Sequence, residues 1–105
     1  MDTTTVTQAP GQFEIAADGE TVGVARYVDD DGRRIFHHTE VDQAHSGQGL
    51  AGRLVGEALR RTREEGLRAV PVCSYVESYV QRHPDVADIV DPVTDEARER
   101  VAREA

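Results

Sequence analysis

The sequence predicts one domain of the α+β (α/β) class: a mixed sheet made of an antiparallel N-terminal meander, then helix, strand and helix. Three observations carry this. Strand-like alternation of apolar and polar residues begins at Phe13 and recurs in short segments up to Val41, interrupted by glycine turns. The apolar period then changes from two to about 3.6. A short apolar run follows Gly66, too brief for a helix and suited to a buried strand.

Taken in order, residues 1–10 are Thr-rich, run into Pro10-Gly11, and read as a flexible tail outside the domain. Phe13-Glu14-Ile15-Ala16 alternates as a strand, and Asp18-Gly19 is a tight hairpin signal. Residues 22–28 form the returning strand, Asp29-Asp30-Asp31-Gly32 is a second turn, and residues 34–41 give a third strand. Leu50, Leu54, Val55, Ala58 and Leu59 then share one helical face, opposite Arg53, Glu57, Arg60, Arg61 and Glu64. Gly66 occupies the place of a C-terminal cap. Residues 67–73 make a buried strand interrupted by Pro71, and Ser74 is placed to cap a short helix that ends near His83-Pro84. The domain therefore spans 11–92. Residues 93–105 form a peripheral helical tail in which Glu96/Arg100 and Glu99/Arg103 are spaced for weak ion pairs.

Composition narrows the function classes. The chain has 105 residues and a formal net charge of −8, with twelve Arg and no Lys among its basic residues. So acidic a surface disfavours nucleic acid and attracts cations such as amines. No apolar run approaches the roughly 20 residues of a membrane span, which points to a cytoplasmic protein without membrane contact. Cys73 is the lone cysteine, so no internal disulfide forms. No spacing of His, Cys, Asp and Glu calls for a metal. Oligomeric state is open between a monomer and a small homo-oligomer.

The most informative stretch runs from Val41-Asp42 through Ser46-Gly47-Gln48-Gly49-Leu50-Ala51-Gly52. A strand ends and two glycines open an amphipathic helix. The first turn of a helix leaves N–H groups without partners, and the peptide dipoles add partial positive charge there. With side chains removed at Gly47 and Gly49 and a small Ala51, a diphosphate can approach those groups without Lys or metal. The Gly47-x-Gly49-x-x-Gly52 spacing matches a dinucleotide fingerprint. The context does not: an antiparallel meander precedes it, and no acidic residue closes the next strand. A phosphate loop ending in Lys-Ser or Lys-Thr is absent.

These residues resemble the acetyl-CoA signature of the GNAT acetyltransferases. Phe36-His37-His38-Thr39-Glu40-Val41, together with Pro71-x-Cys73-Ser74-Tyr75-Val76, resembles a minimal single-domain branch of that family over roughly residues 12–90. The resemblance implies acetyl-CoA held by Val41, Ser46, Gly47, Gln48, Gly49, Leu50, Ala51 and Gly52. Ser46 departs from the family pattern, which has Arg or Gln there; His45 or Arg53 could compensate. The resemblance further implies that the strand before the glycine turn and the next strand splay apart around the pantetheine arm. Pro71, which cannot donate a ladder hydrogen bond, permits such a splay on its own account.

Four side chains are catalytic candidates. His38 and Glu40 lie two apart and share a strand face, so either can serve as base; an exposed polar face is the alternative. His37 then faces the other way. Tyr79 resembles the family's tyrosine that protonates the coenzyme sulfur, with core packing as its alternative role and Tyr75 as a substitute. Cys73 stands just before a helix start, where a thiolate is favoured. It is either an acetyl-carrying nucleophile, as its position in the minimal branch allows, or an apolar wall residue beside direct attack by the amine. The function expected is an acetyl-CoA-dependent N-acetyltransferase acting on a small amine or on a protein Lys or N-terminus. A coenzyme-A-binding regulatory or interaction module with little catalysis is the competing class.

Overall fold

The structure is a computed structural model and describes residues 4–45 and 47–104. Five strands, β1 (Thr4–Ala9), β2 (Gln12–Ala17), β3 (Glu20–Asp30), β4 (Arg33–Val41) and β5 (Arg68–Pro71), lie in one sheet in chain order. The first four pair antiparallel and β5 joins β4 in parallel, so the sheet is mixed. Three two-residue turns make the meander. Asp18-Gly19 and Asp31-Gly32 adopt positive φ at both positions, the geometry that matches the twist of a hairpin.

The expected tail at residues 1–10 is corrected over its described part. Thr4–Ala9 pairs along its whole length with β2, and Pro10-Gly11 is the turn between them, with Gly11 at φ 78°. Pro fixes the first turn position and Gly supplies the left-handed second, so this dipeptide is a hairpin signal like the others.

The parallel step from β4 to β5 is made by α1 (Leu50–Glu64). Its predicted face is the buried one: Leu50, Leu54, Val55, Ala58 and Leu59 pack on Phe13, Ile15, Ala25, Tyr27 and Phe36. Each large aliphatic buried this way stabilises the fold by about 1.5–3 kcal/mol. Gly66, at φ 75°, ends the helix, with its N–H bonded to the Arg63 carbonyl and the Leu67 N–H bonded to Thr62.

After β5 come α2 (Ser74–Arg82), a 3-10 segment over Pro84–Ile89, and α3 (Asp95–Glu104). Ser74 is the first helical residue of α2 rather than its cap; Cys73 holds the cap position and makes no side-chain capping bond. The C-terminal helix forms as expected but is not peripheral. Ala97 is buried with Ile35 and Val70, and Val72, Val93 and Val101 pack around them, so α3 covers the sheet face opposite α1. Arg100 pairs with Glu104 at 2.9 Å and approaches Asp30, in place of the Glu96 partner that spacing predicted. Among the described residues no helix is long and apolar enough to cross a membrane.

Candidate functional site

The site begins where β4 and β5 part. Their pairing runs from Arg33 opposite Arg68 to Phe36 opposite Pro71. One further bond, Cys73 N–H to the Phe36 carbonyl at 2.9 Å, closes the seam before the chain turns into α2. Pro71 has no N–H to extend the ladder. Residues 37–41 of β4 continue along β3 but have no strand on their other edge. That edge offers unpaired backbone N–H and C=O groups to an extended ligand.

At the end of β4, Val41 is half-buried against the core and the glycine turn follows. Gly47 and Gly49 sit at φ 81° and 74°, and no atom lies within 4 Å of a Cβ built on either. Gly49 caps α1 with no side-chain hydrogen bond, and the first backbone bond of the helix runs from Arg53 N–H to the Gly49 carbonyl. The N–H groups of Leu50, Ala51 and Gly52 thus have no intrahelical acceptor. Leu50 is buried, so it offers the turn its backbone alone, while Gln48 is exposed. Ser46 lies outside the described residues. Beside it, His45 carries a buried Nδ1 without a hydrogen-bond partner among the described residues.

From this turn a cleft of about 540 Å³ extends between α1 and α2, lined by Gly52, Arg53, Gly56, Tyr75, Tyr79 and Arg82 among others. Tyr79 stacks on His83 with ring centroids 3.8 Å apart and planes 9° from parallel, and His83 Nδ1 lies 2.8 Å from the Tyr79 carbonyl. Burial, with the charge of Asp85 and the neighbouring Tyr75, pushes the Tyr79 phenol up from its usual pKa. Its hydroxyl is directed at α1, where it stands beside Gly56.

Cys73 contacts the free stretch of β4: its Sγ lies 3.4 Å from Thr39 Oγ1. His38 and Glu40 do share a face, with Nε2 and Oε1 3.7 Å apart. It is the face that α3 covers lower down, opposite the one Cys73 and α1 occupy. The reason is a bulge: Arg26 pairs with His38 and Tyr27 with Phe36, which leaves His37 as the extra residue. His37 was expected to face away from His38. The bulge corrects this, and both imidazoles line one pocket with Arg26, Val101 and Glu104. Burial first, then His38 and Arg26, lower the pKa of His37.

The four catalytic candidates therefore form no single contact set among the described residues. Cys73 meets Thr39, His38 meets Glu40 across the strand, and Tyr79 stands in the α1–α2 cleft. Sequence reasoning missed Thr39 as the thiol's partner, Gly56 as the gap for a tyrosine, and His37. The signal for Gly56 was present, since a mid-helix glycine that sacrifices about 1 kcal/mol relative to Ala calls for a reason.

A parallel strand pair that splays beside a glycine-opened crossover helix defines the GNAT class of fold. The solution structure of a GCN5-like protein from Staphylococcus aureus superposes with TM-score 0.67 at 19% identity, over 87% of this chain and 91% of that one. The crystal structure of the ribosomal-protein-S18-alanine N-acetyltransferase from Escherichia coli gives TM-score 0.58 at 13% identity, over 71% of this chain and 53% of that one. At such identities the likeness is one of fold. The sequence goes further: residues 12–89 match the model of the GCN5-related N-acetyltransferases, and this chain belongs to that family. Protein NATD1 of Mus musculus is 37% identical over 78 residues, 70% of this chain and 68% of the relative. Protein NATD1 of Homo sapiens is 42% identical over the same length, 70% of this chain and 66% of the relative.

Proposed function

We propose that this chain is an N-acetyltransferase that takes its acetyl group from acetyl-CoA and delivers it to an amine. The observation that carries the reading is one juxtaposition: the unpaired edge of β4 is followed, across Asp42 and a 3-10 turn over Gln43–His45, by the uncapped, glycine-opened start of α1. An amide-bearing arm can pair with residues 37–41 and a diphosphate can lie on the N–H groups of Leu50, Ala51 and Gly52. Gly47 and Gly49 leave the approach open, Val41 ends the strand beneath it, and Gln48 flanks it. Bound there, acetyl-CoA supplies an acetyl group activated as a thioester.

The chain's own groups then handle protons. An amine must lose its charge before it can attack, and in this reading the His38–Glu40 pair, 3.7 Å apart on the free end of β4, accepts that proton. Tyr79, with its pKa raised, keeps its phenolic proton at neutral pH and holds a donor at Oη. The Cys73 thiol is engaged by a hydroxyl rather than by a basic side chain among the described residues, which favours direct attack by the amine over an acetyl-Cys73 route.

Two measurements test the reading. Calorimetry with acetyl-CoA should show binding, and thiol release with a panel of amines should show turnover. Binding without turnover on any amine would leave a coenzyme-A-binding module; absence of binding would overturn both. Cys73→Ala is expected to keep turnover within about threefold of wild type, and loss of all activity with binding intact would establish the covalent route instead.

A further inference from the structure

The face of β4 opposite the coenzyme groove carries a second pocket, of about 410 Å³, bounded by Arg26, His37, His38, Val101 and Glu104. Its place in the fold matters. His37 and His38 are the first two residues of β4 past the last β4–β5 pair, so the pocket opens beside the mouth of the splay. The bulge at His37 turns both imidazoles into it.

Its charges are arranged in opposition. Arg26 is exposed and, among the described residues, has no carboxylate within ion-pair distance. Glu104 contributes a carboxylate on the other element, held by Arg100 at 2.9 Å. Val101 supplies an apolar wall on the side of α3. A ligand with one charge of each sign satisfies both ends, whereas a simple diamine would leave Arg26 facing a cation. Val101 and Glu104 belong to α3, which lies beyond the 12–89 stretch matched by the family model.

We propose that this pocket is the acceptor site and that it takes a small molecule bearing both an amine and a carboxylate, with Arg26 gripping the carboxylate. The inference rests on the transferase reading above. The ammonium form of the acceptor first gives one proton to an imidazole of the pocket, and from there to water. The freed nitrogen forms its bond to the acetyl carbon as the carbon–sulfur bond breaks. The electron pair leaves on sulfur, which takes up the second proton from nitrogen. The products are an N-acetyl amino acid, a thiol and one released proton.

The probes are β-alanine and ethylamine, which differ by the carboxylate alone. Thiol release from acetyl-CoA should favour β-alanine, and Arg26→Gln should raise its KM at least about tenfold while leaving acetyl-CoA affinity unchanged, the loss expected for one charged hydrogen bond. Ring signals of His37 and His38 in NMR, followed with and without coenzyme A, report acceptor binding independently of turnover. β-Alanine should move both signals and Arg26→Gln should abolish the shifts. Shifts without any coenzyme binding would keep the pocket and defeat the transferase reading. Equal or better use of ethylamine, acetylation confined to protein substrates, or an Arg26→Gln enzyme indistinguishable from wild type would overturn the pocket assignment.

Discussion

The phenolic oxygen of Tyr79 stands 2.6 Å from where a Cβ on Gly56 would lie, so the two helices that bound the α1–α2 cleft meet through a missing side chain. Gly56→Ala sets two effects against each other. Alanine gains about 1 kcal/mol of helix propensity, while its methyl group must push the tyrosine hydroxyl aside. The ring is held by its stack on His83, but the hydroxyl is the far end of a side chain and can yield. We expect the melting temperature to change by only a few degrees while turnover falls at least about fivefold from a misplaced Oη. Thermal melts beside thiol-release kinetics would check it; unchanged kinetics would remove Tyr79 Oη from the reaction.

At the other end of the groove, Gly49 separates backbone freedom from charge. Its φ of 74° makes any side chain cost about 1 kcal/mol, and the space around a built Cβ is open. Gly49→Ala should therefore bring the strain alone, lowering stability by about that amount. Gly49→Glu adds a carboxylate where phosphate is expected and should weaken acetyl-CoA at least about tenfold beyond the alanine variant. Urea melts and calorimetry on both variants give the comparison, and equal affinities for the two would contradict the phosphate cradle.

These residues also mark how far the sequence could be read. The α1 face and its Gly66 stop were legible because they follow from a periodic pattern and a local cap. The glycine turn was legible because positive φ narrows the choice of residue at Gly47 and Gly49. β1 was missed for want of apolar residues: an edge strand with one polar face carries Val6 and little else, and its Pro10-Gly11 turn looked like the end of a tail. The bulge at His37 had no local signal, because it is set by pairing with Arg26 and Tyr27 across the sheet. One inserted residue reverses the faces beyond it, and with them the partners of Thr39 and His38. The role of α3 was equally hidden, since it depends on which sheet face α1 leaves bare.

Arg34 is buried on β4 with a guanidinium that donates to Asp29 and Glu65 at 2.8–3.0 Å and lies 4.4 Å above the Tyr27 ring. Burial alone would lower its pKa, but the hydrogen bonds to both carboxylates outweigh that and hold it raised. Removing the cation leaves two carboxylates that are nearly half exposed and can rehydrate, so the loss comes from packing and from the forked bonds. Arg34→Met is expected to destabilise by about 2–4 kcal/mol, and Arg34→Lys by about half as much, because an ammonium cannot reach both partners in the plane. Chemical denaturation of the three proteins tests the order. A methionine variant as stable as wild type would make the ion triad dispensable.

His37 gives the fold a pH dependence in a window of its own. Its pKa is lowered in the folded protein by burial, by His38 and by Arg26, with Glu104 opposing. A histidine that binds its proton less readily when folded contributes stability that is full above its unfolded pKa of about 6.5. That contribution is lost as pH falls through the lower folded value, where the unfolded chain takes up the proton first. Glu57 and Glu65 are also lowered, through hydrogen bonds from Arg60 and Arg34, but their losses begin only as pH falls through the ordinary carboxylate value near 4.5. Below pH about 6.5 and above the carboxylate range His37 therefore dominates the slope. Urea midpoints measured across that interval should fall with decreasing pH for the wild type, and less steeply for His37→Gln. Parallel slopes for the two proteins would mean that His37 titrates no differently in the folded and unfolded chain.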